Sequence, residues 1–336
     1  MFFEITTGWW LVLIGGAVAL DWGIGDPEKI PHPVVWIGKL VGSLTKAFNR
    51  GTPRARKGKG LLMWLLVVAI TIAVTAGVQW LAIQLHPAAF LLVTLWFLGT
   101  ALAEKSLRQA VTGVAKALSE DDLASARLQV GWLCGRDTTA LSAHEVVRAA
   151  VETTAENTVD GVLAPLFYMA VGLVTAHWLP WLNPLTLAMT YKAVNTMDSM
   201  VGYTQAPYHD FGCLPARLDD VLNWPIARIG SRMMLIGGAL LGFDAKNGAR
   251  IYNRDRHNHK SPNAGHPESA AAGLLHIQIG GTNVYFGETV VKPTIGDADQ
   301  PLSAWHIQAC VSVMLAAEIA QTLFMAVAAG IALGLS

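Results

Sequence analysis

Charge is scarce in this sequence. Only 14% of its 336 residues are charged, against about a quarter in a soluble globular chain. The 24 basic and 24 acidic side chains cancel to a net charge of zero, so the electrostatic footprint of a nucleic-acid binder is missing and no nucleic-acid partner is expected. Cysteine is scarce too. Cys134, Cys213 and Cys310 are odd in number and far apart, which argues against a disulfide framework or a Cys-based zinc site and leaves them as small buried hydrophobes. Familiar nucleotide and hydrolase signatures are also missing: there is no G-x-x-x-x-G-K-[ST], no G-x-G-x-x-G after a strand, no G-x-S-x-G and no H-E-x-x-H. Any nucleotide site has to be built from scattered acids, amides and basic groups. The N-terminus lacks a basic n-region and an A-x-A-like site before Asp21, so it is not read as a cleavable signal.

What the chain has instead is apolar length. Hydrophobic residues make up 53% of it, and the mean hydropathy is +0.41. The block 61–85 carries no charge, 87–103 follows it, and 307–335 holds one acid, Glu318. Each is long enough, or nearly so, to cross a bilayer. Blocks at 9–25, 162–189 and 226–243 are weaker candidates. Period-two alternation of a barrel is not seen, so the expected fold is all-α, a polytopic helical membrane protein. With no repeat or low-complexity linker, residues 1–336 read as one integral membrane domain. Arg50, Arg54, Arg56, Lys57 and Lys59 directly precede the 61–85 block, which makes that loop cytoplasmic. The turn at His86-Pro87 then folds 61–85 and 87–103 into a hairpin. Polar segments 26–60, 104–160 and 244–305 are accordingly expected on the cytoplasmic side. Within 104–160, a Ser119/Asp122 capping box, a stop at Gly135 and an Asp137 cap are expected to delimit amphipathic helices.

Five constellations could carry chemistry. His144, Arg148, Glu152, Glu156 and Asp160 recur every four residues, which keeps Glu152, Glu156, Asp160 and the adjacent Asn157 on one broad helix face. The stripe is either a solvated face with i,i+4 pairs or a hard-oxygen ligand set suited to Mg2+ with phosphate. "YKAVNTMDSMVGY" places Lys192, Asn195 and Asp198 on an apolar helix, as a structural pair or as substrate contacts. "DFGCLPARLDDVLNWPIAR" gathers Asp219, Asp220 and Asn223 with Arg217 and Arg228, a second oxygen-rich group with guanidiniums suited to phosphate. "RDRHNHKSPNAGHPES" combines His257, His259 and His266 with basic residues and a turn at Asn263 and Gly265. It reads as a basic anion-binding loop, with zinc as the weaker alternative. "GDPEKIPHPVVWIGKL" forces a non-helical chain after an apolar run, either as a surface turn or as the lining of a cavity.

Five ordered blocks, "GDPEKIPHPVVWIGKL", "ETTAENTVDGVLAPLFY", "NTMDSMVGY", "FGCLPARLDDVLNWPIAR" and "SPNAGHPESAAAGLLHIQIGG", lie between Gly25 and Gly281. They resemble the adenosylcobinamide-phosphate synthase family of cobalamin-biosynthesis membrane proteins. That resemblance implies an amide ligase of the bacterial inner membrane that needs ATP and Mg2+. Its substrates would be adenosylcobyric acid and (R)-1-amino-2-propanol O-2-phosphate, or ethanolamine phosphate. The lipid bilayer and other membrane enzymes of late cobalamin assembly would be its partners. On this reading Glu152, Glu156, Asn157 and Asp160 would hold Mg2+ and phosphate. Asp198, Asp219, Asp220 and Arg217 would be catalytic, and Arg136, Lys192, Asn195, Arg228, Asn263 and Gly265 would bind the cosubstrate. Two competing readings are a non-enzymatic membrane sensor of the same superfamily and a transporter. Retention of all five polar blocks speaks against the first, and the lack of an inverted repeat against the second.

Overall fold

Proline and small polar caps set many helix starts. Pro33, Pro53, Pro87 and Pro184 sit in the first turn of their helices, and His32, Thr52, His86 and Asn183 accept a backbone N–H just before them. A computed structural model describes residues 5–27, 30, 32–203, 205–285 and 288–334; Pro31 of the fifth constellation lies outside them. In chain order the helices are α1 (Thr7–Gly23), α2 (Pro33–Phe48), α3 (Pro53–Leu85), α4 (Pro87–Gly99), α5 (Glu104–Ser119), α6 (Leu123–Gly131) and α7 (Ala143–Asn157). A π-helical turn, Thr158–Leu163, leads into α8 (Ala164–Thr175), followed by α9 (Pro184–Val201), α10 (Cys213–Leu240), α11 (Ala245–Asp255) and α12 (Gly265–Leu275). An antiparallel pair, β1 (Ile279–Tyr285) and β2 (Glu288–Ile295), precedes α13 (Ala304–Gly334).

The fold is all-α apart from that hairpin. Among the described residues, four stretches are long and apolar enough to cross a membrane: Pro53–Leu85, Pro87–Ser119, Ala143–Thr175 and Ala304–Ile331. The three strongest apolar blocks of the sequence fall within or largely within this set. The weaker blocks at 9–25 and 226–243 do not meet the same criteria. The 162–189 block is split, because the chain leaves α8 at Thr175 and re-enters helix at Pro184.

The chain divides into two compact units, each drawn from separated segments. The first comprises the chain up to Ala103, Ala164–Asn223 and the chain from Met325. Its α3 and α9 are joined in an apolar setting by Asn183 Nδ2 donating to Gln79 Oε1 at 2.8 Å. Its α8 and α9 approach so closely that a Cβ on Gly172 would lie 2.4 Å from the Pro184 nitrogen. The polar 26–60 segment belongs to this unit, where Arg56 pairs with Asp210 at 2.6 Å.

The second unit comprises Glu104–Leu163 and Trp224–Phe324, and so unites the polar segments 104–160 and 244–305. Helices α11 and α12 cross where a Cβ on Gly273 would meet Gly248 Cα at 2.8 Å, and Asn247 Nδ2 donates to Gly273 O at 2.8 Å. The helix caps here differ from the sequence expectation. Asp122 itself caps α6, while Ser119 donates to Lys116 O. The capping box lies at Ser142 and Glu145, and Asp137 instead holds the Thr139 N–H in a local turn. Ser, Thr and Asp are too common before helices for spacing alone to choose among them.

Candidate functional site

The expected site residues fall into two sets, one in each unit. In the second unit, α7 is buried on nearly every side, so its carboxylates must be compensated or open to solvent. Glu152 is compensated. Its Oε2 forms an ion pair with Arg136, and its Oε1 accepts the Gly280 N–H at 2.8 Å. Arg136 also donates to Asn283 Oδ1 at 2.8 Å. Arg148, one turn earlier, donates to Gly280 O at 2.6 Å and Thr282 O at 2.9 Å. Two side chains of α7 and one of the preceding loop therefore clamp the start of β1. The strand admits them because Gly280 (φ +83°) and Gly281 (φ +81°) form an irregularity in the ladder. A Cβ on Gly280 would lie 2.5 Å from Pro293 O, so only glycine turns its N–H toward Glu152.

Glu156, the next residue of the stripe, keeps exposed side-chain surface but sits in a densely packed surround, with Lys292, Glu152 and Arg136 as its charged neighbours. Facing this group is Glu268, 5% exposed on α12. Burial, then the charges of Glu152 and Glu156, push its carboxyl well above the usual range. His259 Nε2 lies 3.3 Å from Lys292 Nζ, and burial followed by the Lys292 charge pushes the imidazole down to about 4. The result is a mixed-charge cluster of three carboxyl groups, a guanidinium and an ammonium on α7, α12, β2 and the 132–142 loop.

The metal-ligand stripe is only partly as expected. Glu152 is already committed to Arg136 and Gly280, and Asn157 Nδ2 donates to its own helix at Thr153 O, 3.0 Å away. Asp160 lies in the π-helical turn, half-buried, where i→i+5 bonding breaks the four-residue register. Among the described residues no group of three or more His, Cys, Asp or Glu side chains is arranged to hold a metal ion; the zinc reading of His257, His259 and His266 goes with it. Glu156 is the stripe member left with an accessible carboxylate. Of the expected cosubstrate residues, Arg228 stacks over Trp224, Asn263 is buried, and Gly265 sits where a Cβ would meet Arg256 O at 2.6 Å.

In the first unit, Asp219 ends a buried relay. Tyr191 Oη donates to Asn223 Oδ1 at 2.8 Å, and Asn223 Nδ2 donates to Asp219 Oδ2 at 2.9 Å. Tyr168 stacks on Tyr191 with ring centroids 5.0 Å apart. Burial, then the nearby Asp198 and Asp220 charges, push Asp219 up to about 7, partly offset by hydrogen bonding from Asn223 and Asn195. Burial also raises Asp220. Asp198, Asp219 and Asn195 thus come together. Lys192 is half-buried on the same helix, whereas Arg217 is exposed. A separate cavity of about 430 Å³ in this unit, lined by Trp10, Gln79, Phe90 and Asn183, holds none of the expected residues.

Sequence reasoning missed Glu268, Lys292 and Asn283. Glu268 had a signal, being a lone acid in a helix whose eleven residues are all buried. Lys292 and Asn283 belong to strands that the reading did not contain.

The family model described as CobD/Cbib protein matches residues 14–314. The chain belongs to the CobD/CbiB family. The family assignment drawn from the five sequence blocks therefore holds. A cobalamin biosynthesis protein CobD of Geobacter metallireducens is 45% identical over 93% of this chain and 94% of its own. CobD of Citrobacter koseri is 43% identical over 92% and 94%, and CbiB of Salmonella typhi 42% over 94% and 96%. No solved structure matches the chain.

Proposed function

We propose that this CobD/CbiB-family protein is an ATP-dependent amide ligase of the bacterial inner membrane, with its chemistry on the cytoplasmic side. It would join adenosylcobyric acid to (R)-1-amino-2-propanol O-2-phosphate, or to ethanolamine phosphate, giving adenosylcobinamide phosphate. The observation that carries this reading is the Glu156 carboxyl, which keeps exposed surface and has Lys292 and Arg136 as charged neighbours, within a helical stretch fit to cross a membrane. Family membership directs it to cobalamin biosynthesis.

A carboxylate is a poor electrophile, so the propionate of the corrinoid must be activated. In this reading ATP is a co-substrate. One propionate oxygen attacks its γ-phosphorus, the bond to the bridging oxygen breaks, and ADP leaves. The amine then attacks the acyl carbon of the acyl phosphate, the C–N bond forms, and inorganic phosphate leaves with the electron pair of the C–O bond. The ammonium proton passes to a carboxylate. The protein has to neutralise phosphate charge, position the amine and exclude water. Lys292 and Arg136 are suited to the first task. By its proton affinity alone, Asp219 of the first unit suits the role of accepting the ammonium proton, the catalytic role that the family resemblance gives it. Mg2+ takes one or two carboxylates plus substrate phosphates rather than an all-protein cage, and Glu156 can supply one such carboxylate. Bound there, the ion would supply charge for the phosphoryl oxygens. Glu152 in this reading positions Arg136 rather than ligating metal.

The test is reconstitution of the detergent-purified protein with ATP, Mg2+, the corrinoid acid and either amino-alcohol phosphate. Amide product and phosphate should appear only when both organic substrates are present. Glu156→Gln should lower turnover about 10²-fold or more without lowering the melting temperature. No amide with either amine would overturn the reading.

A further inference from the structure

The second unit holds a basic cluster that the proposed ligase chemistry does not use. Arg228 and Arg232 are one turn apart on α10, hence on one face. Arg228 lies 4.1 Å over the Trp224 ring and donates to Trp224 O at 2.7 Å; Arg232 donates to Arg228 O at 3.1 Å. Arg256, just after α11, lies 5.6 Å over the Tyr252 ring and donates to Tyr252 O and Asn253 O. These partners are rings and carbonyls. Among the described residues no salt bridge joins Arg228, Arg232 or Arg256 to a carboxylate. Their neighbours on α11 behave differently: Arg250 pairs with Asp297 at 2.5 Å, and Arg254 with Asp255 at 2.7 Å and Asp297 at 2.8 Å. The local acids are consumed on that side, leaving three guanidiniums uncompensated.

His266 stands among them. It is 2% exposed, in the first turn of α12, with its ring 6.0 Å from that of His257 and 5.5 Å from that of Tyr252. Its Nδ1 bonds Tyr252 Oη at 2.9 Å, while its buried Nε2 has no hydrogen-bond partner among the described residues. In the tautomer in which Tyr252 donates to Nδ1, Nε2 carries the ring proton and is a donor awaiting an acceptor. Burial, then the charges of Arg228, His257, Arg256 and Arg232, push the imidazole down to about 4. At neutral pH His266 therefore offers a neutral N–H rather than another cation. The α12 N-terminus also lacks a side-chain cap. Gly265 lets it press against Arg256 O, where a Cβ would come to 2.6 Å.

We infer that Arg228, Arg232, Arg256 and the Nε2–H of His266 form a binding site for a phosphate-class oxyanion, the terminal phosphate of a soluble monoester or a lipid headgroup phosphate. Guanidinium forks match phosphate oxygens, a helix N-terminus favours anions, and an oxyanion relieves the mutual repulsion of the arginines. The site stands whether or not the chain is a ligase.

Calorimetric titration of the full chain in neutral-lipid nanodiscs with inorganic phosphate and then glycerol 3-phosphate, which carries no amine, tests it. Saturable binding is expected. Arg232→Gln/Arg256→Gln should weaken it about tenfold or more, His266→Gln should weaken it less, and Lys246→Gln, an exposed cation elsewhere on α11, should leave it unchanged. Melting curves verify folding, and Arg232→Gln alone, at an exposed side chain, serves if the double variant unfolds. Repeating the titration with phosphatidylglycerol in the nanodisc separates the sources: loss of phosphate binding assigns the site to a headgroup, and unchanged binding to a soluble phosphate. No saturable binding in neutral lipid, or equal binding by the folded arginine variants, would overturn the inference.

Discussion

Arg136 and Glu152 form an ion pair with side chains only 6% and 7% exposed, tying the loop after α6 to the middle of α7. Each partner has further obligations, Arg136 to Asn283 and Glu152 to the Gly280 N–H. The pair thus links a membrane-directed helix to the β hairpin that carries Lys292.

Breaking that pair from one side leaves a buried charge unmatched. Arg136→Met should cost ~3–5 kcal/mol. Adding Glu152→Met should recover part of the loss, although the Gly280 N–H then lacks its acceptor. Chemical denaturation of wild type, both single variants and the double variant gives the coupling. Additive losses would show that the two side chains do not act as a pair.

Gly280 is held at a φ of +83°, with room for no side chain. Gly280→Ala should destabilise by about 1–3 kcal/mol through backbone strain and the Pro293 contact. Because the Glu152 bond goes with it, hydrogen exchange at the Gly281 and Thr282 amides should rise. Exchange at wild-type rates would mean that the irregularity is not anchored by α7.

Glu268 gives the fold a pH dependence. Its folded carboxyl binds a proton more tightly than the unfolded one. Stability from this group is therefore complete below the ordinary glutamate range and is lost as pH rises through the higher folded value. Melting temperature should fall with rising pH in wild type, and Glu268→Gln should flatten that part of the curve. Parallel curves for the two proteins would contradict the burial of an acid beside Glu152 and Glu156.

The helical membrane architecture was legible because long apolar runs and Pro-capped starts are local signals. The hairpin was not. "GGTNVYFGETVVKPTI" is short and glycine-rich, and its anchoring by Arg148 and Glu152 comes from residues more than a hundred positions away. Site residues were legible in type and misjudged in state. Four-residue spacing identified Glu152 and Glu156 together, but only tertiary contacts separate the one bound by Arg136 from the one left open. Asp160 shows a different failure, since nothing in "TVDGVL" announces a π-helical turn. Arg232 was passed over because an exposed helical arginine is ordinary until its neighbours are seen to lack acids.

Asp219 offers the sharpest titration. Its proton affinity has separable causes: burial and the Asp198 charge raise it, while the Asn223 hydrogen bond lowers it. The protonated-carboxyl infrared band of the full protein should titrate with a midpoint of about 7 and be missing in Asp219→Asn. Asp198→Asn removes a like charge, so the midpoint should fall. Asn223→Leu removes a donor to the carboxylate, so it should rise. In the ligase reading the carboxylate form accepts the proton, so turnover should increase as pH rises through the same midpoint and shift with it in both variants. Opposite displacements of band and rate together would tie the buried carboxyl to the chemistry. A band that moves while the pH–rate profile stays fixed would leave Asp219 as a structural acid.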